Sequence, residues 1–170
     1  RRALDELATV LAREPDHIDA RRLRQDVLRQ RGRRGLVLHE AQAAVAARPD
    51  DGLAHYLLAR VEDEPAAKLA GFRRAARLAP GSVWPWLGLA HALVDVDVHR
   101  ALRIYERLFA ASGEHALVAI AYAAALRAAE RPDEAALVYR ALRGDERFVG
   151  VSDLGLAQTA LARDNREGAW

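Results

Sequence analysis

The segments ALRIYERL (residues 101–108) and AALVYRAL (135–142) carry alanine, tyrosine and leucine in the same three places, 34 residues apart. Ala101, Tyr105 and Leu108 become Ala135, Tyr139 and Leu142, and Pro15 recurs as Pro49 at the same distance. Within each segment the three residues are four and then three apart, the spacing that puts side chains on one face of an α-helix. Such a face repeated every 34 residues predicts a helix-turn-helix unit stacked on copies of itself, because one unit cannot bury its apolar face alone.

The rest of the chain agrees with that period. Alanine-rich stretches with apolar residues three and four apart recur throughout, and β-branched alternation is nearly missing, so the expected class is all-α. Polar or proline- and glycine-bearing breaks fall at 15–17, 31–35, 48–52, 62–65, 80–82, 95–97, 112–114, 131–133, 143–150 and 163–168. They divide the chain into about ten helices, each too short to be stable alone and joined by the short turns of antiparallel pairs.

These residues resemble the tetratricopeptide repeat (TPR) family. That pattern asks for a large residue at position 4, leucine at 7, a small residue at 8, alanine at 20, an aromatic at 24, alanine or similar at 27 and proline at 32. HYLLA (55–59), WLGLA (86–90), AIAYA (119–123) and DLGLA (153–157) occupy positions 4 to 8, ending on Ala59, Ala90, Ala123 and Ala157. Phe72 and Ala75 precede Pro80; Tyr105 with Leu108, and Ala135 with Tyr139 and Leu142, take the second-helix places. The resemblance implies a right-handed α-solenoid of antiparallel helix pairs, a TPR-like superhelix. Small residues at 8 and 20 let the two helices of a pair approach, and positions 4, 7, 24 and 27 fill the space between units.

Phasing gives repeats at 16–49, 50–80, 81–113 and 114–147, with a second helix over 1–15 and the start of another unit over 148–170. Ala3 then stands at position 20, Leu7 at 24 and Ala169 at 20 of a barely begun unit. With no methionine and a start on Arg1, the expectation is an excerpt of a longer solenoid. Three departures stand out. The first repeat puts Arg21, Arg24 and Gln25 where large, leucine and small residues belong, so either its first helix is rotated to turn Ile18, Leu23 and Val27 inward, or the unit is degenerate. The 50–80 repeat is three residues short, and the one ending near Gly113 is one short and lacks the proline.

In the resembling family the first helices line a concave groove that holds a partner's peptide or helix, and the repeats are not catalytic. The groove positions here give Tyr56, Arg60, Trp84, Leu87, His91, Leu117, Ile120 and Arg127 as contact candidates, charged toward the amino end and apolar toward the carboxyl end. An apolar groove suits an amphipathic helix, although Leu117, Ile120 and Leu154 could equally meet neighbouring repeats or another part of the parent protein. The clamp that grips chaperone carboxylate tails is disfavoured, since only Arg22 fits it and Asp26 lies one turn away. Of the paired tryptophans, Trp86 falls in the between-unit slot and Trp84 toward the groove; Ser82 is placed to cap that helix, leaving Pro85 in its first turn.

Charge sets a second candidate. Residues 1–34 hold ten arginines against six acids, within a chain whose formal net charge is only +2. Arg21, Arg22, Arg24 and Arg29 form a basic patch that reads either as a solvated face with Asp19 and Asp26 interspersed or as a site for phosphate or acidic partners. Enzyme and metal motifs fail. His39-Glu40 opens like a zinc-protease motif but Ala43 replaces the second histidine, and Asp95, Asp97 and Glu106 fit a calcium loop except that Arg100 stands where glycine is needed. Cysteine is absent, which excludes disulfides and thiolate metal sites and fits cytosolic and exported proteins alike. No apolar run reaches the roughly 18 residues of a transmembrane helix. The expected function is a non-enzymatic protein-interaction scaffold without cofactor or metal. The alternatives are a docking or self-association region of a larger enzyme, and nucleic-acid binding through the arginine cluster.

Overall fold

The computed structural model describes residues 2–112, 116–144 and 146–167. Every regular element among them is helical. They are α1 (Arg2–Arg13), α2 (Ile18–Gln30), α3 (Arg34–Ala47), α4 (Gly52–Ala59), α5 (Pro65–Leu78), α6 (Val83–Leu93), α7 (Val98–Ser112), α8 (Ala116–Ala128), α9 (Pro132–Leu142) and α10 (Val149–Glu167). One 3₁₀ turn, Glu146–Phe148, precedes α10.

Local chemistry explains most boundaries. Asp51 accepts hydrogen bonds from the Leu53 and Ala54 amides at 2.9 and 3.1 Å, and Glu64 caps α5 in the same way from one residue before Pro65. Pro132 opens α9 where its missing N–H is not needed. α2 and α8 stop alike. Gly32 and Glu130 adopt positive φ, 73° and 59°, so that the following amides of Arg33 and Arg131 reach back to Leu28 and Leu126.

The chain forms two compact units, Arg1–Gly88 and Leu89–Trp170, and the division falls within α6. In the first, each helix from α1 to α5 packs on the next, and α2 also meets α4. Its core gathers Leu28, Val37, Ala41 and Val61, flanked by Leu4, Leu38 and Leu58. In the second, α7, α8, α9 and α10 pack in sequence and α8 also meets α10. That skip of one helix is the mark of stacked hairpins, in which first helices touch first helices. Ala101, Val118, Ala123, Leu126 and Ala135 are fully buried there, and each large aliphatic among them contributes about 1.5–3 kcal/mol by leaving water.

Close backbone approach holds the hairpins shut. A Cβ on Gly71 would lie 2.8 Å from that of Ala59, so in the shortened repeat the small second-helix residue opposite Ala59 is Gly71. At Gly52 a Cβ would lie 2.6 Å from the Ala79 Cβ and 2.8 Å from its backbone nitrogen. Between hairpins the aromatic rings do the filling. A Cβ at Gly88 would collide with the Phe72 ring, and one at Gly155 with the Tyr139 ring.

Several expectations need correction. The break at 163–168 does not occur, because α10 continues to Glu167; arginine, asparagine and glutamate carry a helix adequately, and glycine arrives only at 168. The first repeat is not rotated. Leu23 is 53% exposed while Gln25 is buried in the small slot, its amide nitrogen donating to the Leu57 carbonyl at 3.0 Å, so the unit keeps its register with polar residues inside. Ala3 and Ala157, placed in close-packing slots, are exposed, since α1 and α10 have no hairpin partner covering that face among the described residues. Trp86, assigned to the between-unit core, is half-buried with its indole N–H donating to the Pro80 carbonyl at 3.0 Å, and the fully packed tryptophan is Trp84. The turn at Gly113 and Glu114 and the position of Ala169 lie outside the described residues.

Gly52→Ala should lose about 1–3 kcal/mol in urea denaturation, because the contact it violates is backbone. Gly81→Ala, where a Cβ would meet nothing within 4 Å, should be neutral or gain about 0.4–1 kcal/mol. A second check is pH. Burial pushes the Tyr105 phenol up to about 12 from 10.0. The unfolded chain therefore loses this proton first, and stability falls as pH rises from about 10 through about 12. Tyr105→Phe should remove on the order of 2 kcal/mol of that alkaline loss, read from denaturation midpoints below and within the window.

Candidate functional site

The groove positions of the first unit lie on α2, α4 and the opening of α6, and the structure ties them to one another. The Arg22 guanidinium carbon sits 3.6 Å from the centroid of a Trp84 ring. Tyr56 lies beside Trp84 with centroids 6.5 Å apart and beside Phe72 at 5.9 Å. Arg60 donates to both oxygens of Asp26 at 3.0 Å and to Oε1 of Gln25 at 2.9 Å. Arg22 in turn donates to Asp19 at 3.0 Å.

The sequence reason is the i, i+3 and i, i+4 spacing of Arg22, Gln25 and Asp26, which turns all three toward α4. Burial of Tyr56 raises its phenol above the ordinary value, and the nearby Arg22 and Arg60 charges offset part of that rise. Tyr56 and Trp84 are 4% and 8% exposed. The expectation of Trp84 as an open contact is thus corrected: its ring is already covered by Arg22. Leu87 is half-buried on the same helix, and His91, in the second unit, is exposed.

The second unit presents the opposite character. Leu117 is 47% exposed on α8, Ile120 is half-buried one turn on, and Ala124 is exposed beyond it. On α10, Val151, Leu154 and Leu161 are all exposed, Leu154 to 61%. Their spacing of three or seven residues makes one apolar row, interrupted by Gln158. Gln158 accepts a hydrogen bond from Arg127, the remaining groove candidate, which joins α8 to α10. Beneath the row, Ser152 donates to the Tyr139 carbonyl at 2.6 Å and Thr159 to that of Gly155 at 2.7 Å, so its buried polar groups are satisfied.

The basic patch resolves into pairs. Arg21 meets Asp16 at 3.0 Å, Arg22 meets Asp19, and Arg24 grips Glu40 with two bonds of 2.5 and 2.9 Å, which raises the Arg24 pKa above its ordinary value. Arg29 is half-buried beside Asp26, Gln30 and Arg34. Glu40, met in sequence as half of a failed zinc motif, is the partner of Arg24. Asp97 belongs to a helix start, accepting from the Arg100 amide at 2.9 Å. Among the described residues no three histidine, aspartate or glutamate side chains converge as metal ligands, and no helix is long and apolar enough to cross a membrane.

Gly88 and Gly155, within WLGLA and DLGLA, receive the rings of Phe72 and Tyr139. The signal was available: glycine at one register place in two repeats, each preceded by an aromatic in the second helix.

Comparison with known proteins bears on the fold. No protein-family model matches the chain, and no curated protein matches it in sequence. Solved structures do. The crystal structure of MamA protein, a TPR-like helical-repeat protein, superposes with a TM-score of 0.59 at 16% identity, over 84% of this chain and 80% of that one. The fold is a TPR-like α-solenoid. At that identity the likeness to MamA is one of architecture.

A double-mutant cycle of Arg22→Met and Trp84→Leu should give a coupling of about 1–2 kcal/mol in urea denaturation, the range for a partly desolvated cation–π contact. Additive losses would show that the stacking carries no energy of its own.

Proposed function

We propose that the chain is a protein-interaction scaffold whose docking face is the apolar row on α8 and α10. The observation that carries this is the contrast between the two units. Groove positions of the first are saturated by Arg22, Trp84, Tyr56, Arg60 and Asp26, while Leu117, Val151, Leu154 and Leu161 of the second face solvent. Exposed leucines at helical spacing on two adjoining helices fit the apolar stripe of an amphipathic helix, which would fill the channel with ridges of its own. Arg127 at the edge supplies a cation for an acidic residue of such a helix.

MamA shares the fold, and TPR-like repeats in general serve as interaction scaffolds rather than catalysts; both support the class of function. Pairing of Arg21, Arg22 and Arg24 with acids argues for a protein partner over a phosphate backbone.

Ile120→Asp and Leu154→Asp should each lower retention of a partner, in affinity capture from the source cell with crosslinking to α8 or α10, by ten-fold or more. Leu137→Asp, equally exposed but on α9, should leave it unchanged. Retention indifferent to the first two substitutions, or lost to all three alike, would reject this face.

A further inference from the structure

On several helices an arginine is matched by an acid three or four residues away, as Arg2 is by Glu6, Arg22 by Asp19 and Arg131 by Glu134. The open face of α7 is built differently. Arg100, Arg103 and Arg107 are all exposed, opposite the buried Ala101, Leu102 and Tyr105. Their spacing of three and then four residues sets them in one ridge along the helix. Among the described residues none of the three makes an ion pair.

The acids nearest in sequence are engaged elsewhere. Glu106, the one acid within α7, exerts its charge on Tyr122 and Arg131. Asp97 accepts from the Arg100 amide at 2.9 Å, which holds its carboxylate at the helix start. The ridge is therefore a cost to the free chain. Arg103 and Arg107, four apart, repel one another, and Arg100 stands in the first turn, where the helix end is itself positive.

The surrounding charge decides which kind of anion fits. Residues 89–170 hold ten arginines against twelve acids, so the second unit as a whole carries a small negative charge. A nucleic-acid backbone or an anionic lipid surface meets that whole field and is repelled, whereas a short acidic segment laid along α7 meets only the ridge. At the helical rise the three arginines step about 4.5 and about 6 Å along the axis, the spacing of side chains on one face of a second helix.

We propose that this ridge docks an acidic helix of a partner protein, with carboxylates three and four residues apart set one against each guanidinium. The planar guanidinium suits a carboxylate through paired hydrogen bonds. This surface is separate from the apolar row on α8 and α10 and does not depend on it.

NMR titration of the whole chain at low ionic strength tests this, with an alanine-based helical peptide carrying three glutamates on one face. The controls are the same composition with the glutamates spread around the helix, and a short DNA duplex. The one-faced peptide should saturably shift the Nε–H resonances of Arg100, Arg103 and Arg107 and bind at least five-fold more tightly than the spread one. Arg103→Gln and Arg107→Gln should each weaken it about two- to five-fold, the range of an exposed ion pair, and Arg140→Gln, exposed on α9, should leave it unchanged. Arg103→Glu should weaken it ten-fold or more while raising the melting temperature of the free chain by about 1–4 °C, since attraction to Arg107 replaces repulsion. Equal affinity for the two peptides, tighter binding of the duplex, no response to the ridge variants, or a lower melting temperature in Arg103→Glu would overturn the assignment. So would loss of binding in Leu154→Asp, which would place the peptide on the apolar row.

Discussion

An aromatic ring resting on bare backbone is the contact on which the stacking depends. Phe72 of α5 lies over Gly88 of α6, and Tyr139 of α9 lies over Gly155 of α10. In each pair the second helix of one hairpin delivers the ring and the first helix of the next receives it. A ring buries more apolar area than any aliphatic residue, and the missing Cβ lets it approach the helix axis. The same economy of side chain recurs within a hairpin, where Gly71 meets Ala59 and Gly52 meets the end of α5. Helices this short have little stability of their own, so these close approaches give them tertiary packing to hold them.

Once the helices are so held, the first helices are free to differ in what they present. In the first unit the presented side chains bond to one another. Arginine is suited to this, since one guanidinium can stack on a ring and bond a carboxylate at once, as Arg22 does with Trp84 and Asp19. In the second unit Leu117, Val151 and Leu154 stay exposed and Ile120 is half-buried, since apolar side chains of this kind cannot bond one another as the charged ones do. One backbone pattern thus yields a closed polar face and an open apolar one, and the proposed partner belongs to the latter.

The first repeat shows what happens when the interior pattern is broken without loss of register. Gln25 replaces a small residue yet stays buried because both ends of its amide find partners. Arg21 and Arg24 replace apolar residues and reach the surface, where Asp16 and Glu40 pair with them, beside a half-open pocket.

Fold class, hairpin period and nearly all helix limits were legible in the sequence, because they follow from local spacing: alanine, tyrosine and leucine at three and four, and prolines or capping acids at the turns. What a side chain meets after packing was not. Only tertiary structure seated Arg22 over Trp84, joined Arg60 to Asp26, set the rings on Gly88 and Gly155, and left a half-open pocket beside Arg24. These outcomes hang on distances between residues far apart in the chain, where the length and charge of one side chain decide whether its neighbour is covered. Periodicity assigns each residue a face, and contact across that face depends on the helix that comes to lie opposite.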